Sequence, residues 1–135
     1  MKANKKEKPN GFFAATKSLM DGDKPLEWEF RHITSKENED LRDGCTYEVQ
    51  ITGKPNMYRP KFKSTDYLVK LTVAATVYPD LYDTELQDSY GVKTPEDLLY
   101  AMVDDAGEYS DLGIWMQKFQ GFSQTMDDKV EEVKN

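Results

Sequence analysis

Only one stretch of this chain, Tyr67–Val77, is apolar nearly all round, and any fold has to be wrapped about it. Leu68, Leu71, Val73 and Ala75 lie along it, and a helix that is apolar on every side is a buried one. Ser64-Thr65-Asp66 is predicted to cap this helix, and Pro79 to end it. The run is too short and too broken by Lys70 and Thr72 to reach the roughly 18 residues of a membrane span. At 135 residues the chain has the size of one domain, about 100–200 residues. Its 38% apolar content is below the roughly 45–50% of typical domains, so there is material for a single core and little beyond it.

The flanking segments predict an α+β domain, mainly helical, with an N-terminal β-hairpin. Phe12–Leu19 and Leu26–Ile33 flank an Asp-Gly-Asp-Lys-Pro turn, and Leu26, Trp28 and Phe30 alternate with Glu27, Glu29 and Arg31. Thr34-Ser35-Lys36-Glu37 is a capping box opening a helix with Leu41 and Cys45 at i, i+4. A second short hairpin is expected from Tyr47, Val49 and Ile51, the Gly53–Asn56 turn and Met57–Phe62, with Pro60 at an edge. Three helical pieces follow: one from Asp83/Thr84 to a stop at Gly91, one opened by Thr94-Pro95-Glu96-Asp97, and one over about 108–120. The last presents Tyr109, Leu112, Trp115, Met116 and Phe119 as its apolar face. Residues 1–10 read as a disordered basic arm, 11–122 as the globular domain, and 123–135 as a polar tail or frayed helix.

Charge is unevenly spread. Residues 1–8 hold four lysines and one glutamate, net +3, which leaves 14 basic and 24 acidic residues, net −10, for the remainder. Between Asp80 and Asp111 ten acidic residues face Lys93 alone, net −9, and several of them sit at predicted helix starts. An overall charge of −7 makes nucleic acid a poor partner, because neutralising phosphates takes a basic face. No apolar h-region follows the basic start, and the one cysteine excludes an internal disulfide and a cysteine zinc cage. These features point to the cytoplasm.

The residues offer little chemistry. His32, the only histidine, falls in a predicted strand with no catalytic motif around it and reads as a solvated histidine. Cys45 lacks a cationic neighbour to activate it and reads as a small buried residue. Asp80, Asp83, Glu85 and Asp88 lack the ligand spacing and mid-loop glycine of an EF-hand. No catalytic residue, metal site or cofactor is expected, and the residues alone lead only to an acidic interaction domain.

Several strings go further. Pro25-Leu26-Glu27-Trp28-Glu29-Phe30-Arg31, Asp40-Leu41-Arg42 with Cys45-Thr46, and Tyr67-Leu68-Val69-Lys70-Leu71 are followed by Val77-Tyr78-Pro79-Asp80-Leu81 and Glu85-Leu86-Gln87-Asp88-Ser89-Tyr90-Gly91-Val92. Gly107-Glu108-Tyr109, Gly121-Phe122 and Glu131–Asn135 complete a pattern that resembles the XkdN-like tail assembly chaperones of tailed phages and prophages. The resemblance implies a non-virion factor in the host cytoplasm that binds the tape measure protein, helps tail-tube protein assemble around it, and can self-associate into open spirals. Glu85, Gln87 and Asp88 are then expected to bind the partner, with Leu86 and Tyr90 turned to the core. Trp28, Cys45, Tyr78, Pro79 and Gly91 are expected to shape the fold. Two other readings stand beside this one: a virion structural or tail-completion protein, and an acidic inhibitor that mimics nucleic acid.

Overall fold

The computed structural model describes residues 7–122; the expected tail at 123–135 and most of the basic arm lie outside them. The apolar run folds into helix α2, Ser64–Ala75, which buries Tyr67, Val69, Leu71, Thr72, Val73 and Ala75. It starts immediately after a strand, so no side chain caps it: its N-cap is Lys63, whose N–H bonds the Cys45 carbonyl. The expected Ser64-Thr65-Asp66 cap is therefore absent, and Asp66 instead accepts from the Tyr47 hydroxyl at 3.1 Å.

The helix also ends earlier than its apolar composition suggests. Thr76–Tyr78 leaves it as a strand, β7, which pairs antiparallel with Trp28–Phe30, strand β4. Arg31 N–H donates to the Ala75 carbonyl at 2.8 Å, extending that pairing to the end of α2. Thr76 and Val77 are β-branched, and branching at Cβ favours the extended chain wherever a strand edge is available to receive it. On its other side β4 pairs with β1, Gly11–Phe13, in the register Gly11↔Phe30, Phe12↔Glu29 and Phe13↔Trp28. The N-terminal hairpin thus forms, closed at its tip by two-residue strands β2 (Met20–Asp21) and β3 (Lys24–Pro25) about Gly22 at φ 68°. It supplies two strands of a three-stranded sheet, β1-β4-β7.

Helix α1, Ser35–Gly44, has the full capping box: the Thr34 side chain accepts from Glu37 N–H, and the Glu37 carboxylate accepts from Thr34 N–H. It buries none of its own residues; Cys45, fully buried, is its C-cap. The second hairpin pairs β5 (Thr46–Gln50) with β6 (Tyr58–Phe62) from Thr46↔Phe62 to Gln50↔Tyr58. Helix α3, Thr84–Ser89, is capped by Asp83, and α4, Pro95–Met102, by Thr94 with Pro95 in its first turn. Helix α5, Ala106–Phe119, begins two residues before its expected start, because Asp105 accepts from Glu108 N–H.

The sheet and α5 meet through rings. Trp115 packs 5.0 Å from Phe13, 5.2 Å from Phe30 and 4.8 Å from Phe119. His32 stacks on Phe119 at 4.0 Å, so the histidine expected in solvent is half-buried against a ring, its Nδ1 unpartnered. Gln120 binds the continuation of β4 as a strand would: its Nε2 donates to Arg31 O and its Oε1 accepts from Ile33 N–H, both at 3.0 Å.

Trp28 is fully buried, as is Phe30 two residues on, and its indole N–H finds no acceptor. Trp28→Ala should cost about 3–5 kcal/mol in urea melts, whereas Trp28→Phe should lose far less, since no hydrogen bond goes with the indole. Glu37 generates a second expectation. The Arg31 guanidinium, 2.7 Å away, and then the Thr34 N–H hold its carboxyl at about 2 instead of the ordinary 4.5. The folded-state value is the lower, so this stabilisation is complete above about pH 4.5 and fades as pH falls toward 2. Both side chains are more than a third exposed, 38% and 37%, so solvent screens the pair and the effect is small. Glu37→Gln should flatten the stability loss between about pH 4.5 and pH 2 relative to the parent chain.

Candidate functional site

Ten carboxylates between Asp80 and Asp111 divide by what they touch. Asp83 and Asp105 cap α3 and α5, Asp80 accepts from Tyr82 N–H, and Glu96 pairs with Lys70 of α2 at 3.7 Å. Glu108 clamps the chain after β1, accepting from the Thr16 hydroxyl and the Lys17 N–H, each at 2.7 Å. Those five hold the fold. Glu85, Asp88, Asp97, Asp104 and Asp111 are exposed and give the surface its charge. Among them stand exposed aromatic rings, Tyr82 (65%), Tyr100 (49%) and Tyr90 (37%). Tyr100 stacks on Tyr109 at 5.1 Å, and burial followed by the Tyr100 contact pushes the Tyr109 phenol up, keeping it neutral.

Beside this surface a groove runs between α2 and α5. Leu68 and Thr72 form one wall, Leu112, Gly113 and Ile114 the other, and Tyr109 and Gln117 take part in the lining. Gly113 faces free space, since a Cβ there would meet nothing within 4 Å. Its dimple of about 100 Å³ is small beside the roughly 300–1,000 Å³ of small-molecule sites. A larger open concavity, about 590 Å³, lies by Phe12, Asp21, Lys24 and Leu26 at the N-terminal hairpin. Neither holds a nucleophile next to a base. Among the described residues no three His, Cys, Asp or Glu side chains gather as a metal site.

The residues singled out from sequence are distributed as follows. Glu85 and Asp88 lie exposed on α3. Gln87, expected beside them, is buried at 7% exposure, and its Nε2 donates to the Leu81 carbonyl at 2.8 Å. The physical reason is that the chain turns inward at buried Pro79 and Leu81, and the buried Leu81 carbonyl needs a donor, which Gln87 supplies. Correspondingly Leu86 is half-buried and Tyr90, expected inside, is the exposed C-cap of α3. Gly91 adopts φ 70°, the left-handed conformation that ends the helix. Tyr78 is 52% exposed in β7, and Trp28 and Cys45 are fully buried; burial pushes the Cys45 thiol up, away from the reactive thiolate. Gln120 and Gly113 had no sequence signal, since each matters through a partner distant in the chain.

Among the described residues, five short helices and small antiparallel sheets, with exposed carboxylates and tyrosines and a shallow groove of mixed polarity, define an α+β domain without a catalytic constellation. A family profile described as phage XkdN-like tail assembly chaperone protein matches residues 1–134, and the chain belongs to that family. Two Bacillus subtilis (strain 168) proteins are similar to it. YqbN is 25% identical over 109 residues, 78% of this chain and 70% of that protein. The phage-like element PBSX protein XkdN is 24% identical over 106 residues, 76% of this chain and 68% of that protein. The crystal structure of YqbN has the same fold, with a TM-score of 0.72 at 18% identity, covering 91% of this chain and 93% of that one.

Replacing Gln87 by Leu strands the Leu81 carbonyl and should cost about 1–3 kcal/mol in denaturant melts. Glu85→Ala and Asp88→Ala, on the exposed side of the same helix, should each stay within about 0.5 kcal/mol of the parent.

Proposed function

We propose that this chaperone is a non-virion factor of the host cytoplasm that binds the tape measure protein and helps tail-tube protein gather around it. The observation carrying this reading is the α2–α5 groove, whose walls set Leu68, Leu112 and Ile114 beside Thr72, Tyr109, Ser110 and Gln117. A long helical protein awaiting its tube exposes apolar side chains at i, i+3, i+4 and i+7, and laying such a face into a groove is a standard way to shield it. The dimple at Gly113 has room for one side chain. Exposed Ile114 and Tyr100 extend the apolar contact, and Glu85 and Asp88 supply polar contacts and solubility. Gln87 serves the same surface from beneath by fixing the turn that leads into α3.

Co-expression with the tape measure protein of the same phage tests the groove. Gly113→Leu adds a side chain into open space and removes a helix glycine, so the chaperone should remain at least as stable, by up to about 1 kcal/mol. The filled groove should nonetheless leave the tape measure protein insoluble. A soluble complex with Gly113→Leu at parental yield would move the binding surface elsewhere.

A further inference from the structure

The β5–β6 hairpin is hard to account for as part of the core. Of its ten strand residues only Val49 and Phe62 are not exposed, and Phe62 is its anchor, 5.5 Å from the Tyr67 ring and under the Arg42 guanidinium. An isolated two-stranded hairpin is marginal in water, so a long exposed one is an unusual element to keep for stability alone. Its charge is opposite to the body: Lys54, Arg59, Lys61 and Lys63 against Glu48 give net +3 over residues 45–63 of a chain at −7. Among the described residues none of these four cations lies in an ion pair.

The ladder makes the two edges unequal. Ile51 N–H donates to Met57 O, and Lys63 N–H to Cys45 O. Antiparallel alternation then puts Tyr47↔Lys61 and Val49↔Arg59 in hydrogen-bonded pairs and Glu48↔Pro60 and Gln50↔Tyr58 in non-bonded ones. Main-chain groups of the non-bonded residues point outward. On the β6 edge Pro60 stands in the middle of the outward row, between Tyr58 and Phe62, and has no N–H to offer, so a strand added there would lose its central donor. On the β5 edge Glu48 and Gln50 present free N–H and C=O groups, and no described group bonds them. One face of the hairpin carries Tyr47, Val49, Ile51 and Met57 beside Arg59 and Lys61, with Lys63 over the Tyr47 ring at 4.9 Å.

We propose that β5 is a docking edge at which an extended acidic segment of a partner protein adds as a third strand, its apolar side chains on the Tyr47–Val49–Ile51 face and its carboxylates against Arg59, Lys61 and Lys63. Main-chain pairing supplies affinity and the basic face supplies sign. A nucleic acid would use the cations and leave the open edge unused, which is why a peptide is the better fit.

The test uses the full chain and fluorescence anisotropy with three labelled probes: a peptide of about ten alternating Val and Glu residues, its Val/Lys counterpart, and a single-stranded oligonucleotide. The acidic peptide should bind, more weakly as salt rises, and the basic peptide should not. Gln50→Pro removes an outward N–H without taking a donor from the ladder and should lower affinity about tenfold, with the circular dichroism spectrum unchanged, while Arg59→Glu with Lys61→Glu, which leaves the ladder intact, should transfer binding to the Val/Lys peptide. Gly113→Leu should leave peptide binding unchanged, so failure of the groove and failure of the edge are separable. Absence of acidic-peptide binding at low salt, equal binding by the charge-reversed variant, or preference for the oligonucleotide would overturn the proposal.

Discussion

Trp115 is the contact on which the arrangement of this chain depends. It stands in the last helix yet touches Phe13 of the first strand and Phe30 of the central one, and through Phe119 it reaches His32. Stacked and tilted ring pairs at these separations add about 0.5–1.5 kcal/mol each beyond the area they bury. They join the last helix to the sheet alongside the Gln120 bonds to Arg31 and Ile33 and the Glu108 clamp on Thr16 and Lys17. With so little apolar material in the sequence, concentrating it in rings that meet at one seam lets a thin core close.

What could be read from the sequence was local chemistry. Thr34 and Glu37, Thr94 and Pro95, and Gly91 carry their roles within four residues, and each does what that short-range pattern requires. The alternation of Leu26, Trp28 and Phe30 likewise placed a strand and its buried face, and Pro60 marked an edge. Relations between distant residues stayed hidden. Thr76–Tyr78 reads as the end of an apolar helix until β4 is there to pair with it. Gln87 reads as a surface polar residue until the inward turn at Pro79 creates a buried carbonyl. The family could be read from the linked strings around Trp28, Pro79 and Tyr90; the groove at Gly113 could not, because it exists only between two helices more than thirty residues apart.

Half of the acidic stretch is engaged in building the fold, at helix caps, in the Glu108 clamp and in the Lys70–Glu96 pair. The rest is left at the surface, whereas the β5–β6 hairpin carries a net +3. Helix α2, twelve residues and so about 18 Å long, separates the two: the hairpin enters at Ser64 and the acidic stretch follows Ala75. Along the chain, opposite charges therefore flank one rigid helix.

Gly11 has a consequence of another kind. A Cβ there would come within 2.5 Å of the Phe119 ring, so strand β1 and the last turn of helix α5 are in direct contact. The backbone from 11 to 122 is in effect a ring with its seam beside Phe119. Joining the seam with a short linker and opening the chain at the exposed Gly53–Asn56 turn would give a circular permutant with the same core and new ends at the hairpin tip.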